Sequence, residues 1–363
     1  MKKQQVIGFA AILLLMVGST LCTFGCSQGS NSPATTTSST TTTSHSTITT
    51  TSTSTTTTSI NPLVGSTWAY SDGMSTRPGK RSGAAEQFGS NLWLIGGAVS
   101  PDDNLTSEVM AFDGTNFGLP IVGQFSARKR LGSTVHDNAI WIFGGSNDSI
   151  PTYYNDFWWS DNGTTWQYGG TAPADTIATR DGASLIDFNG DLYVCGGGME
   201  NTNYVDVWKI PTTGGNIGTP ILTHTFTGAL GISNMVVYRN QLWVGIAILD
   251  NGTVETRAAT SEDGTNWVVS SGVSYWGTNF PSEIDVFDNR LWVFGTDNIL
   301  DNSHGNDVVY STDGITWITA TSEAPWTGKE GPFKAAFHNK FWIIGGANPT
   351  VLPTTEVWYT PAP

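Results

Sequence analysis

The sequence has few cysteines and few charged residues, and both shortages restrict the fold. Only three cysteines occur in 363 residues. Cys22 and Cys26 lie near the N-terminus, which leaves Cys195 alone in the rest of the chain and excludes an intrachain disulfide there. Cys195 lies in an apolar run and is expected to be a buried small hydrophobe. Charged residues make up only 13%, and the Glu-, Lys-, Ala- and Leu-rich patterns of long helices are missing.

Basic residues are especially scarce. The chain has 16 lysines and arginines against 30 acids, a formal net charge of −14. Loss of Lys2 and Lys3 with a leader peptide would bring this charge to about −16 (−14 minus 2). Such a surface repels nucleic acid, and no basic stripe offsets the repulsion, so no nucleic-acid partner is expected. The abundant residues are instead 42 Gly, 15 Trp and 16 Phe, which favour strands joined by tight turns.

The N-terminus has the pattern of an export signal. Two lysines are followed by an apolar run of about a dozen residues, the length of a signal-peptide core and short for a membrane span. The next segment, Thr23-Phe24-Gly25-Cys26, resembles a bacterial lipobox, in which a small residue precedes the cysteine that receives the lipid. The resemblance implies a signal peptide over residues 1–26 and lipidation at Cys26. Ordinary secretion and an uncleaved membrane anchor are the alternatives.

Residues 27–60 are almost entirely Ser and Thr. They offer no apolar side chains for a core, and the segment is predicted to be a disordered tether. Behind a lipidated cysteine, such a tether holds a domain away from the bilayer. The sequence therefore predicts a protein of the bacterial cell envelope that contacts the membrane through its lipid anchor only, or else a secreted protein. In a eukaryote, the same tract would suggest an O-glycosylated stalk.

Residues 61–363 repeat one pattern six times. Each copy has an apolar strand with a central aromatic, at Trp93, Trp141, Tyr193, Trp243, Trp292 and Trp342. The spacing is about 50 residues, which is typical of a propeller repeat. Each copy predicts four strands, and the aromatic run is the second. First strands are predicted to start near Arg81, Arg130, Arg180, Gly231, Phe280 and Glu330. Third strands open with an acid, at Glu108, Asp156, Asp206, Glu255, Asp307 and Glu356.

The two ends of the repeat region are predicted to complete one another. The sixth copy stops after its third strand, close to the last residue, Pro363. Ahead of the first copy, the segment around Trp68 matches the fourth strands that a tryptophan leads elsewhere, as at Trp166 and Trp317. We therefore expect the N-terminal strand to complete the last blade, which would remove exposed sheet edges.

The six copies resemble kelch-repeat, or galactose-oxidase-like, β-propellers over all of residues 61–363. The resemblance implies an all-β fold, a six-bladed kelch-type β-propeller whose last blade is closed by the N-terminal strand. Three turns also resemble the Asp-box of sialidases, where the box is a structural turn: they are residues 160–166, 261–267 and 311–317. The fold alone implies no activity, because propellers serve as enzymes, sugar binders and scaffolds.

Five charged residues are the candidate ligand site. Arg81, Arg130 and Arg180 are predicted to occupy equivalent places at the start of the innermost strands, facing one channel mouth, where guanidinium groups recognise carboxylates. Glu283 and Glu330 are predicted on the opposite side of the ring, giving a polar mouth suited to hydroxyl-rich ligands or acid/base work. The alternative is that each arginine pairs with the acid of a third strand and that the glutamates form a solvated rim.

No catalytic set or cofactor site is evident. The histidines are expected to lie too far apart for a metal, and the oxygen-rich loop 297–307 lacks EF-hand spacing. The sequence therefore predicts a noncatalytic monomer that binds a carbohydrate or a protein, with Tyr153, Tyr154, Trp276 and Trp326 as exposed aromatic candidates. A sialidase-like hydrolase or a sialic acid mutarotase is the enzyme alternative, implied by similar bacterial propellers. A structural component of an envelope complex is the third.

Overall fold

Antiparallel strands and tight turns make up the regular structure of the protein. The computed structural model describes residues 65–173, 175–250, 253–272, 279–280, 283–295, 297–298, 305–326, 328–347 and 353–360. These residues contain no α-helix, so none of them forms an apolar helix of membrane-spanning length. The all-β prediction is confirmed. The predicted leader, tether and Cys26 lie outside the described residues.

The strands of the first three copies follow the predicted order, with short extra ribbons in the loops. In the first copy and the segment before it they are β1 (Ala69–Ser71), β2 (Lys80–Arg81), β3 (Ala84–Phe88), β4 (Asn91–Ile95), β5 (Ala98–Val99), β6 (Asn104–Leu105), β7 (Glu108–Phe112) and β8 (Ile121–Val122). The second copy has β9 (Gly132–His136), β10 (Ala139–Phe143), β11 (Ser146–Asn147), β12 (Thr152–Tyr153), β13 (Asp156–Ser160) and β14 (Gln167–Thr171). The third has β15 (Ser184–Phe188), β16 (Asp191–Cys195), β17 (Gly198–Met199), β18 (Thr202–Asn203), β19 (Asp206–Ile210), β20 (Thr212–Thr213), β21 (Asn216–Ile217) and β22 (Ile221–Thr225).

The last three copies have fewer ribbons. The fourth contains β23 (Ala229–Ile232), β24 (Val236–Tyr238), β25 (Gln241–Asp250), β26 (Thr253–Ser261) and β27 (Val268–Val269). The fifth contains β28 (Asn279–Phe280), β29 (Asp285–Phe287), β30 (Arg290–Phe294), β31 (Asp297–Asn298), β32 (Val308–Ser311) and β33 (Trp317–Thr321). The sixth contains β34 (Phe333–Phe337), β35 (Lys340–Ile344) and β36 (Val357–Tyr359).

Within the described residues, these strands form six antiparallel sheets of four or five strands. We number them by copy: sheet 1 is β3-β4-β7-β8, sheet 2 is β9-β10-β13-β14, sheet 3 is β15-β16-β19-β22, sheet 4 is β23-β25-β26-β27 with β24 also on β25, sheet 5 is β29-β30-β32-β33, and sheet 6 is β34-β35-β36-β1. The aromatic second strand lies inside every sheet, which explains why it is the most apolar.

The N-terminal strand completes sheet 6, as the sequence predicts. β1 pairs antiparallel with β36, with Tyr70 opposite Trp358 and Ser71 opposite Val357. The preceding Trp68 packs its ring 4.3 Å from that of Trp326 and 5.7 Å from that of Phe294. The two ends of the repeat region are therefore joined in one sheet.

Neighbouring sheets meet through their first strands. β3 contacts β34 and β9, β9 contacts β15, β15 contacts β24, β24 contacts β29, and β29 contacts β34. The contacts between first strands thus form a closed cycle. Apolar side chains from adjacent sheets fill the junctions; Phe112 and Trp342, for example, have ring centroids 4.8 Å apart between sheets 1 and 6.

The turns that resemble the Asp-box are structural, as expected. In the first of them, the Oδ1 atom of Asn162 accepts the backbone NH groups of Thr164 and Thr165, each at 2.8 Å. The Oγ atom of Ser160 accepts the NH of Gly163 at 2.9 Å. The same pattern recurs around Asp263 and Asp313, so these side chains stabilise the backbone of the turn.

Candidate functional site

A buried cation pairs with the acid that opens the third strand in four of the sheets. The arginines make bidentate pairs: Arg128 binds Asp156 at 2.6 and 3.0 Å, and Arg180 binds Asp206 at 2.6 and 3.1 Å. Lysines take the same place in the other two sheets, with Nζ–Oε2 distances of 2.7 Å for Lys329 and Glu356 and 3.8 Å for Lys80 and Glu108. Burial lowers the pKa of Lys80 to about 8, because Glu108 replaces its lost hydration only in part.

Aromatic side chains complete the two arginine pairs. The guanidinium carbon of Arg180 lies 4.0 Å from the ring centroid of Tyr204, and the Nε1 atom of Trp208 donates to Asp206 at 2.7 Å. Arg180 also donates to the backbone carbonyls of Ala178 and Gly196. Its side chain is 1% exposed, so Arg180 is a structural residue, and here the alternative interpretation of the sequence is confirmed.

The three predicted arginines do not occupy equivalent places, and this part of the prediction is wrong. Backbone pairing sets Arg81, Lys129, Asp181 and Glu330 at the same position, opposite Ala98, Ser146, Gly198 and Ala347 respectively. The buried cations stand one residue earlier, so the counterpart of Arg180 is Arg128. Arg130 stands one residue later, level with Ser82, Gly182 and Gly331. The predicted starts of the first strands also differ from the observed ones, because these residues form a turn ahead of most of the strands.

Backbone hydrogen bonds link this turn across four sheets. The NH of Ser82 donates to the carbonyl of Gly331 at 2.6 Å, the NH of Arg130 to Ser82 at 2.7 Å, and the NH of Gly182 to Arg130 at 2.7 Å. All four residues have left-handed backbones, with φ between 54° and 65°. We call Glu330–Gly331, Arg81–Ser82, Lys129–Arg130 and Asp181–Gly182 the polar arc.

Two of the cations of the polar arc are neutralised by close carboxylates. Arg81 binds Asp103 through two nitrogens, and its Nη1 atom lies 2.8 Å from the Oε1 atom of Glu330. The hydrogen bonds to Asp103 raise the pKa of Arg81 above its ordinary value. Lys129 is in an ion pair with Asp148. Glu330 therefore lies beside Arg81, and its prediction on the opposite side of the ring is wrong.

Arg130 is held differently. Its side chain is 44% exposed, and its Nη2 atom lies 3.4 Å from the position a Cβ atom would take at Gly182. Its Nη1 atom is 3.8 Å from the Oδ2 atom of Asp181, which is longer than a hydrogen bond. Asp181 is itself buried and accepts a hydrogen bond of 2.7 Å from the hydroxyl of Ser146. Arg130 is therefore an exposed cation whose nearest carboxylate among the described residues is beyond hydrogen-bond distance.

Glu283 lies just ahead of the first strand of sheet 5 and is paired with Lys334, which lies on the first strand of sheet 6. Their Oε2 and Nζ atoms are 2.6 Å apart. Nearby, burial raises the pKa of Asp285 to about 6, and its Oδ2 atom has no hydrogen-bond partner. In sheet 1, burial raises the pKa of Glu86 to about 7, although Ser133 donates to it at 2.6 Å. The first strands thus contain two buried carboxyls that the sequence analysis missed, because alternation alone does not reveal them.

A buried histidine also escaped the sequence analysis. The Nδ1 atom of His136 lies 2.5 Å from the Oδ2 atom of Asp187, and its Nε2 atom lies 2.8 Å from the Oγ1 atom of Thr212. The order hydroxyl, imidazole, carboxylate is that of nucleophilic triads. Here the imidazole is fully buried and its nitrogens bond to Asp187 of β15 and Thr212 of β20, both in the third copy, so we assign it to joining the second and third copies.

The predicted aromatic candidates are mostly not exposed. Trp326 is 3% exposed and lines a shallow cavity of about 370 Å³ with Asn306, Glu323, Ala324 and Pro325. Tyr154 lies under Arg128, with the ring centroid 4.0 Å from the guanidinium carbon, and Tyr153 is half-buried. Trp276 and residues 299–304 of the oxygen-rich loop lie outside the described residues. Across the described ranges, no group of three or more His, Cys, Asp or Glu side chains could hold a metal ion.

No protein-family model matches the chain, and no curated protein matches it significantly.

Proposed function

We propose that the repeat region is a six-bladed β-propeller of the kelch type. The six sheets, the closed cycle of contacts between first strands, and the joining of both ends in sheet 6 all support this arrangement. The repeat of about 50 residues has the period of kelch blades. The sequence pattern of the N-terminus supports export, lipidation at Cys26 and a protein of the bacterial envelope, or a secreted one; that the protein is a monomer is part of the proposal.

Within this propeller, the polar arc is the ligand site, and the ligand is a carbohydrate or a protein bound without catalysis. One observation carries the proposal. Arg130 has a left-handed backbone, φ 54°, at a place where the equivalent residues are Ser82, Gly182 and Gly331. A long side chain in this conformation costs about 1–2 kcal/mol, and at Arg130, unlike at the hairpin residue Arg239, it sets the guanidinium beside the buried acid of the polar arc, Asp181. The strained residue presents an exposed guanidinium.

The test removes the guanidinium and keeps the backbone. Arg130→Gly introduces the residue already present at Gly182 and Gly331, so the left-handed turn remains unstrained. A glycan array and a panel of envelope proteins are probed with the purified full-length protein. We expect the binding of wild-type ligands to weaken by about 10- to 100-fold in Arg130→Gly, as for the loss of a charged hydrogen bond.

The matched control is Arg239→Gly, which removes another exposed arginine with a left-handed backbone, φ 51°, from the first hairpin of sheet 4. This variant is expected to bind as the wild type does. Unchanged binding in Arg130→Gly would overturn the proposed site. Turnover of sialosides or interconversion of sialic acid anomers by the same preparation would instead favour the enzyme alternatives.

A further inference from the structure

We infer that the polar arc takes a neutral carbohydrate, recognised by a hydroxyl that bridges Arg130 and Asp181. The inference rests on the proposed function and specifies its ligand class. It replaces the expectation of an anionic sugar or a carboxylate-bearing peptide, which assumed three arginines at one mouth.

The charge of the polar arc argues against an anionic ligand. The polar arc has three cations, Arg81, Lys129 and Arg130. Four carboxylates lie close to them, those of Asp103, Asp148, Asp181 and Glu330. The sum is −1, on a chain whose formal net charge is −14. A ligand carboxylate at this site would be repelled, because the carboxylates around the arc outnumber its cations by one.

The Arg81 guanidinium is also committed to its neighbours. Its two carboxylate partners engage it on different nitrogens, and the side chain is only 15% exposed. An anionic ligand would have to displace Asp103 or Glu330 to form a bidentate pair with it. Arg130 is the cation of the arc whose only close carboxylate, among the described residues, stands beyond hydrogen-bond distance.

The gap between Arg130 and Asp181 fits a hydroxyl. The Nη1–Oδ2 distance of 3.8 Å leaves the guanidinium with a donor to give and the carboxylate with an acceptor to fill. A hydroxyl is both acceptor and donor, so one sugar hydroxyl satisfies both groups at once. A ligand carboxylate is an acceptor only and would leave Asp181 unsatisfied and repelled.

The carboxyl of Asp181 and the backbone of Arg130 are held in place before the ligand arrives. The hydroxyl of Ser146 holds the buried carboxyl of Asp181 at 2.7 Å, and the backbone of Arg130 is bonded to Ser82 and Gly182 on either side. Preorganisation of this kind lowers the entropic cost of binding. The site is therefore built for one bridging polar group at a defined place.

The experiment compares neutral glycans with the same glycans capped by sialic or uronic acid, using the purified full-length protein. We expect the wild type to prefer the neutral member of each pair by about tenfold, equivalent to about 1.4 kcal/mol. In Asp181→Asn, which keeps an acceptor for Ser146, the affinity for neutral glycans falls and the ratio of acidic to neutral affinity rises by about tenfold or more. Asp161→Asn removes an exposed acid outside the polar arc and should leave neutral binding unchanged.

The failures of the two proposals are distinguishable. Preference for acid-capped glycans that is lost in Arg130→Gly would overturn the neutral-hydroxyl inference and leave the polar arc as the binding site. Glycan binding that is unchanged in Arg130→Gly would overturn both. A ratio of affinities that does not move in Asp181→Asn would overturn the bridge, even if that variant is less stable, because misfolding lowers both affinities together.

Discussion

At the scale of single residues, the polar groups divide into those that hold the fold and those that face solvent. Arg128 and Arg130 are separated by Lys129 alone, yet Arg128 is fully buried with its donors on Asp156 and Gly144, and Arg130 is largely exposed. Removing one member of a buried pair leaves the other charge without compensation. Substitution of a buried, paired residue is therefore expected to lower stability, whereas substitution of the exposed arginine is expected to weaken binding.

The buried pair of sheet 3 gives the first stability prediction. Asp206→Asn leaves the guanidinium of Arg180 without its carboxylate, and we expect the free energy of unfolding to fall by about 3–5 kcal/mol, measured by urea denaturation. Asp148→Asn, which breaks the exposed pair with Lys129, should cost no more than about 1 kcal/mol. Equal losses in the two variants would contradict the division between buried and exposed pairs.

A turn glycine that packs on the neighbouring sheet gives the second. Gly163 has φ 76°, and a Cβ atom there would lie 2.4 Å from the indole of Trp93. Gly190 has φ 80° with no atom within 4 Å of that position. Both alanine variants bear the left-handed penalty of about 1–2 kcal/mol, so the clash appears as the extra loss in Gly163→Ala. Thermal or urea unfolding measures it, and losses of the same size would show that Trp93 gives way freely.

The sequence predicted the acids of the third strands but not the partners of these acids. The acid follows an apolar run at a regular distance, which makes it easy to place. The cation is harder to place. The segment Arg128-Lys129-Arg130 offers three candidates, and in two other copies the cation is a lysine, Lys80 or Lys329. The buried cation stands two residues before the left-handed residue of the turn, and no pattern of residue types shows the sign of φ when that residue is an arginine.

At the scale of strands, the first strands of neighbouring sheets bring a buried carboxyl into the core. Glu86 of β3 is bonded to Ser133 of β9, and its pKa is raised by burial from 4.5 to about 7. The folded protein therefore retains a proton that the unfolded chain releases between these pH values. By linkage, the contribution of Glu86 to the free energy of unfolding decreases as the pH rises from about 4.5 to about 7 and levels off outside that range.

The third prediction is that Glu86→Gln removes this contribution. The amide keeps an acceptor for Ser133 and has no charge, so the variant should gain stability relative to the wild type as the pH rises toward 7. Asp285, whose pKa is raised to about 6, also lowers the free energy of unfolding over part of this pH range. That contribution is the same in the wild type and in Glu86→Gln. Urea denaturation between pH 4 and about 8 measures both slopes; Glu323→Gln, an exposed site, is the control. Parallel curves for wild type and Glu86→Gln would contradict a buried, protonated Glu86.

Strand boundaries were predictable where the apolar pattern is strong. The prediction failed where the conformation of a glycine sets the end of the strand. The second strands were placed correctly from their aromatic. In sheet 1, Gly96 and Gly97 have φ 63° and 89° and end the strand. In sheet 4 a single glycine, Gly245, is followed by Ile246, and β25 does not end there but runs for 10 residues in all, in a long hairpin with β26. Sheet 5 also has a single glycine, but Gly295 has φ 79° and β30 ends before it, so the backbone conformation of the glycine, which the sequence does not show, distinguishes the two strand ends.

At the scale of the whole repeat region, the joining of both ends in sheet 6 and the cycle of contacts between first strands imply that the sheets share their stability. The sequence predicted the pairing of the ends because a fourth strand was missing at one end and present at the other. It did not show how the joint is packed: Trp68 fills the space between sheets 5 and 6, against Phe294 and Trp326. If the proposed propeller unfolds as one unit, loosening this joint must destabilise sheets far from it.

The buried thiol of Cys195 offers a probe of that coupling. It lies in β16 of sheet 3, is 1% exposed, and burial raises its pKa, so a thiol reagent reaches it only when sheet 3 opens. In a full-length protein with Cys22→Ser and Cys26→Ser, we expect Trp68→Ala to cost about 3 kcal/mol and to accelerate the labelling of Cys195 by about 100-fold. Tyr70→Ala, which removes an exposed ring from β1, two residues after Trp68, should accelerate labelling less than about tenfold. Labelling that stays at the wild-type rate in Trp68→Ala, while the urea midpoint followed by tryptophan fluorescence falls, would mean that sheet 6 unfolds without sheet 3 and that the ends do not lock the molecule as one unit.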